Sequence, residues 1–63
     1  MGYFKTRLTE EKAELSEKME KLRAFIASED FTKIDNVQMT LLNIQIKAME
    51  TYSQCLLERI VRL

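Results

Sequence analysis

Apolar residues in the first half of the chain recur with a seven-residue period. The repeat consists of Leu8, Leu15, Met19, Leu22 and Ile26, and Phe4 extends it by one turn. Spacings of three, four and seven place these side chains on one stripe of an α-helix, which we expect over residues 4–27. The other faces carry acidic and basic residues four apart, an arrangement typical of solvent-exposed helical surface.

A second helix is predicted over residues 36–62, and its start has three local signals. Asp35 is a favourable N-cap residue, and Gln38 stands three places later, as a capping box requires. Ile34 and Met39 occupy the positions of a hydrophobic staple across that cap. These signals leave residues 28–35 as the connection between the helices.

The second helix differs from the first because it carries two apolar stripes. One follows the spacing of a coiled-coil seam, interrupted at Ser53, and consists of Leu42, Ile46, Met49, Leu56, Ile60 and Leu63. The other consists of Val37, Leu41, Ile44, Ala48, Tyr52 and Cys55. Together the stripes span a wider arc than one partner helix can cover.

The predicted fold class is therefore all-α, with one domain that forms an antiparallel two-helix hairpin. The short connection returns the first helix alongside the second, where it covers part of the apolar arc. We expect further copies of the chain to cover the rest, in a homo-oligomeric helical bundle with closed symmetry.

Composition narrows the range of partners and cofactors. The 63 residues include ten basic and ten acidic side chains, so no net charge attracts DNA or RNA. Polar residues interrupt the apolar region too often for a membrane span, and no signal peptide is predicted. One Cys and no His leave no metal or cofactor motif, and the lone Cys suits a reducing cytosol.

Catalysis is not expected. The chain has no His, and neither Ser16 nor Ser53 has an evident base. Cys55 lies on an apolar helical face without a visible activator, so we interpret it as a small packing residue.

One edge of the second helix mixes several chemistries. It consists of Gln38, Leu41, Gln45, Ala48, Tyr52, Cys55, Arg59 and Arg62, which step by three and four. These groups could together form a nucleotide site. A Tyr ring stacks on a base, Gln amides bond the polar edges of the base, and Arg side chains bind phosphates. Alternatively, these residues fill boundary positions of a bundle, and the arginines complement a helix C-terminus.

Lys12 interrupts the seam of the first helix. In a hairpin we expect it near Tyr52 and Ser53, so that a polar layer crosses the bundle. Such a layer fixes the register of the helices or forms the cationic floor of an anion pocket. Arg59 and Arg62 also gather with basic residues of the N-terminus at the open end, a second candidate phosphate site.

Two long segments carry a resemblance to known proteins. "RLTEEKAELSEKMEKLRAFI" and "LLNIQIKAMETYSQCLLERIVRL" resemble small helical-hairpin proteins of tailed phages, including a family first noted in crAss-like phages. The residues that carry it are Leu15, Leu22, Phe25, Ile26, Leu42, Gln45, Met49, Tyr52, Leu56, Arg59 and Ile60. The architecture is similar to that of the anti-CBASS and anti-Thoeris nucleotide sponges.

The resemblance implies a function as well as a fold. It implies an oligomer that sequesters a nucleotide-derived immune signal, a cyclic ADP-ribose derivative or a cyclic oligonucleotide, in the cytoplasm of an infected bacterial host. The candidate ligand-binding residues are Tyr52, Arg59, Gln45, Lys12 and Arg62. The alternative is a structural or protein-interaction module that docks on a host or phage polypeptide.

Overall fold

Two long helices and a short 3₁₀ segment account for most of the chain. The computed structural model describes residues 2–63, in which α1 spans Gly2–Ile26, the 3₁₀ segment spans Glu29–Lys33 and α2 spans Asn36–Val61. No strand occurs in the described range, so the all-α, two-helix prediction is confirmed. Helix α1 begins two residues earlier than predicted, and both helices end one residue earlier.

The cap of Asp35 fixes the start of α2. Its Oδ1 accepts hydrogen bonds from the backbone N–H groups of Val37 at 2.6 Å and Gln38 at 3.0 Å. These bonds satisfy N–H groups that have no partner inside the helix. Ile34 and Met39 are half-buried, as the staple requires. The capping box is only half formed, because within residues 2–63 the Gln38 side chain makes no return bond to the Asp35 N–H.

The helices run antiparallel and are staggered. Arg23 donates a hydrogen bond to Glu50 at 2.9 Å. Glu14 and Arg59 line one groove, and each lies nine residues further from the connection than Arg23 and Glu50 do. These pairs place the end of α1 level with about residue 47 of α2. Each helix is about 38 Å long at 1.5 Å per residue, yet the molecule measures 47 × 15 × 12 Å. The stagger makes the molecule longer than either helix alone.

The 3₁₀ segment occupies the space that the stagger leaves. The first turns of α2 extend past the end of α1, and the connection folds back at this end. The Phe25 and Phe31 rings meet edge to face at 6.2 Å, and the Ser28 hydroxyl donates to the Phe25 carbonyl oxygen at 2.6 Å. These contacts hold the connection against the end of α1.

The core is a narrow seam between α1 and α2. Leu15, Met19, Ile46 and Leu56 are buried, and Leu56 is completely inaccessible to solvent. The half-buried residues packed against them are Leu8, Leu22, Ile26 and Met49. Every one of these positions belongs to the two predicted seams, so the pairing of the stripes is confirmed.

The second stripe of α2 is uncovered. Val37 is 66% exposed, Leu41 51%, Ile44 60% and Tyr52 44%, and the smaller Ala48 and Cys55 are exposed as well. Helix α1 therefore covers only one of the two stripes, as predicted. Within the described range, neither helix is long and apolar enough to cross a membrane.

Candidate functional site

Three candidate residues share one flank of α2. Gln45, Tyr52 and Arg59 are seven residues apart, close to two helical turns, so they form a row along the helix. All three are exposed. We call the side of the hairpin that carries this row the Arg59 flank. The row offers an amide, a phenol ring and a guanidinium group over about 21 Å of helix.

Arg59 closes a groove against α1. The groove holds about 460 Å³ and is lined by Phe4, Arg7, Leu8, Glu10, Glu11, Glu14 and Arg59. Glu14, Glu11 and Arg7 step by three and four, so they occupy one flank of α1 and face the same side as Arg59. The groove is therefore built by one edge of each helix.

The lining of this groove is mixed in charge. Arg7 and Arg59 provide two guanidinium groups, which bind phosphate and carboxylate through paired hydrogen bonds. The three glutamates accept hydrogen bonds from hydroxyl or amino groups. The lining thus combines two cationic groups with three hydrogen-bond acceptors, and the carboxylates outnumber the guanidinium groups.

Arg62 lies at the end of the Arg59 flank, but its guanidinium group already contacts Glu58. Its Nη1 contacts Glu58 Oε1 at 2.6 Å and donates to the Glu58 carbonyl oxygen at 3.0 Å. It also lines a smaller, apolar groove of about 300 Å³ with Phe4, Leu8, Arg59 and Leu63. The predicted clustering of Arg59 and Arg62 at the open end is present, with Glu58 as a competing anion.

Lys12 does not join the other candidates. It is eleven residues from Arg23, close to three turns, so it lies on the flank where Arg23 meets Glu50. That flank is opposite the one that carries Arg59. The stagger also places Lys12 nearer the level of Arg59 than that of Tyr52. The expected polar layer of Lys12 with Tyr52 is therefore wrong, because it assumed helices without an offset.

The Arg23 flank has its own electrostatics. Glu50 accepts a hydrogen bond from Arg23 and lies 3.6 Å from the Lys47 ammonium nitrogen. The Arg23 hydrogen bond is the main reason that the pKa of Glu50 falls below its ordinary value, and Lys47 lowers it further. Partial desolvation acts in the opposite direction. This pair joins α1 to α2 on the flank opposite Arg59.

Sequence reasoning missed the acidic side of the groove. Glu10, Glu11 and Glu14 were interpreted as ordinary solvent-exposed charges. The available signal was the spacing of Arg7, Glu11 and Glu14, which places them together on one edge of α1 beside its seam. Which residues of α2 they face depends on the stagger, and local spacing does not determine it.

These features define a small helical binding module: a hairpin with an uncovered apolar stripe and a mixed polar flank. The chain belongs to the Sequestin family, whose model matches residues 3–62. The family name indicates the sequestration of another molecule. The chain matches no curated protein and no solved structure.

Proposed function

We propose that this protein is a phage-encoded oligomeric sponge for a nucleotide immune signal. It binds a cyclic ADP-ribose derivative or a cyclic oligonucleotide in the cytoplasm of the infected bacterium and does not cleave it. Removal of the free signal inhibits Thoeris or CBASS defence. Sequestration requires only affinity and copy number, which a 63-residue chain can supply.

The Arg59 flank is the observation that carries this proposal. Gln45, Tyr52 and Arg59 form an exposed row, and Arg59 at the end of the row lines a groove with a second guanidinium, that of Arg7. Tyr52 stacks on a base, Gln45 bonds its polar edge, and the arginines bind phosphate. Membership of the Sequestin family supports the same conclusion, because sequestration is what the family is named for.

Oligomerisation is part of the proposed function. On one hairpin the site is an open groove, and tight ligand sites bury most of the ligand surface. The exposed stripe of α2 adjoins the Arg59 flank and provides apolar surface for another subunit. Association therefore encloses the ligand while it covers that stripe.

Calorimetry tests the proposal directly. The assembled protein is titrated with cyclic dinucleotides, cyclic trinucleotides and cyclic ADP-ribose isomers. We expect one class to bind, and Tyr52→Ala and Arg59→Gln to weaken that binding at least tenfold. Lys12→Ala is the matched control, because Lys12 lies on the opposite flank and its loss should leave the affinity unchanged. If the assembled protein binds none of these nucleotides, the proposal is overturned.

The exposed stripe also favours a second function, a module that docks on a host or phage polypeptide. In that case Gln45, Tyr52 and Arg59 are the polar rim of a protein interface. A helical partner would then compete with self-association, and no nucleotide would bind. The same titration therefore separates the two functions.

A further inference from the structure

The uncovered surface of α2 has a seven-residue repeat that the hairpin itself does not use. One column of the repeat consists of Leu41, Ala48 and Cys55, a second of Val37, Ile44 and Thr51, and a third of Gln38, Gln45, Tyr52 and Arg59. All of these residues are exposed. The first two columns have the spacing of a helix–helix seam, and the third runs along its edge on the Arg59 flank.

Along the two seam columns the large residues come first, Val37, Leu41 and Ile44, and the small ones follow, Ala48, Thr51 and Cys55. If a second α2 lies antiparallel with Ile44 against the partner's Ala48, then Leu41 meets the partner's Thr51 and Val37 meets the partner's Cys55. Two-fold symmetry repeats each of these contacts. Every layer then contains one large and one small side chain, which allows close packing without voids.

The distribution of charge selects the antiparallel direction. Arg59 and Arg62 stand near the C-terminal end of α2, so a parallel pair would place four guanidinium groups together. An antiparallel pair separates them by the length of the helix. It brings them to the partner end where Glu29 and Asp30 outnumber Lys33, and it also aligns the helix dipoles favourably.

The exposed stripe of α2 is large enough to form the interface of a stable dimer. Specific interfaces bury roughly 600 Å² per partner at the lower end of their range, about an eighth of this chain's 4956 Å². The stripe runs most of the length of a 26-residue helix and exposes about half or more of each of its largest aliphatic side chains.

This pairing makes the ligand site a shared one. The third column of each α2 lies between its seam and α1, so both columns face the trough between the two α1 helices. At 1.5 Å rise per residue, Gln38 of the partner subunit falls about 3 Å along the axis from Tyr52 and about 8 Å from Arg59. Gln38, whose amide does not close its own capping box, is thus placed to bond a base stacked on Tyr52.

We propose that two copies pair antiparallel through α2, and that each nucleotide site combines Tyr52 and Arg59 of one copy with Gln38 of the other. The assignment of a nucleotide rests on the proposed function above, whereas the pairing rests on the exposed repeat alone. Two experiments separate these parts.

Disulfide trapping tests the pairing without any ligand. Wild-type protein, with Cys55 only, is mixed with a tagged Val37→Cys/Cys55→Ala variant and oxidised. We expect a mixed disulfide, because Cys55 faces position 37 of the partner. A Val61→Cys/Cys55→Ala variant is the control, since Val61 is 67% exposed but lies off the stripe. Disulfides between two wild-type chains, or equal trapping in the control, overturn the antiparallel pairing.

Subunit mixing tests the shared site. Gln38→Ala and Tyr52→Ala dimers each lack an intact site, whereas a mixed dimer regains one of two. Equal mixing should therefore restore about a quarter of the wild-type capacity for the nucleotide found by calorimetry, because half of the dimers are mixed. No recovery, with trapping intact, overturns the shared site but not the pairing. If no nucleotide of the panel binds wild-type protein, the shared nucleotide site is overturned. Disulfide trapping then still tests the antiparallel pairing by itself.

Discussion

At the scale of single residues, the two flanks of the hairpin have different roles. Arg23 and Glu50 join α1 to α2 on one flank, and both charges are engaged there. Arg7 and Arg59 lie on the other flank, in a groove open to solvent. The sequence contained both sets of charges, but only the register of the helices shows which of them pair across the hairpin and which line the open groove.

The Arg23–Glu50 pair predicts a dependence of stability on pH. Because folding lowers the pKa of Glu50, its contribution is present above the pKa of the unfolded chain and is lost as pH falls through the folded value. We expect Glu50→Gln to unfold at lower urea than wild type near neutral pH, with the difference shrinking on acidification. A difference that stays constant down to pH 2 would contradict this assignment.

At the scale of elements, local signals predicted well what is local. The start of α2 followed from Asp35, Ile34 and Met39, because caps and staples act within one turn. The seams followed from periodicity. The stagger did not, since it depends on how Leu15, Leu56 and their neighbours interlock across the hairpin. The unpredicted stagger explains both the wrong placement of Lys12 beside Tyr52 and the failure to predict the glutamates of the groove.

The cap at Asp35 gives a prediction for α2. Asp35→Ala should destabilise the fold by about 1 kcal/mol, because it leaves two backbone N–H groups without their carboxylate acceptor. Glu17→Ala is the control, since Glu17 forms an exposed ion pair with Lys21 at 3.9 Å, away from the cap. Urea unfolding followed by circular dichroism measures both. Equal losses would refute a special role for the cap.

The seam gives a second prediction at this scale, through two neighbouring leucines. Leu56 is completely buried, whereas Leu57 is 41% exposed. We expect Leu56→Ala to cost about 2–5 kcal/mol, because it opens a cavity in a core of few residues. Leu57→Ala should cost well under half of that. The same unfolding assay compares them, and similar losses would show that the seam is wrongly placed.

At the scale of the whole molecule, the main feature is apolar surface that one hairpin leaves exposed. Small domains bury a limited share of their surface, and this one is elongated as well. The sequence predicted two stripes on α2, and the structure shows that α1 covers one. Copy number could not be predicted, because it depends on interface geometry between chains and not on periodicity within one.

A single charge in the stripe should break the assembly. We expect Leu41→Glu to lower the mass in solution while the protein remains helical, because the carboxylate would be buried against another subunit. Val61→Glu, at an exposed position off the stripe, should keep the wild-type mass. Light scattering after size exclusion reports the masses. An unchanged mass for Leu41→Glu would show that the stripe is not the interface.

The most direct measurement is sedimentation of the wild-type protein at micromolar concentration. We expect a folded, helical species whose mass is a multiple of the 7.5 kDa chain. A well-folded 7.5 kDa monomer under these conditions would contradict the central claim that this hairpin needs further copies of itself to cover α2.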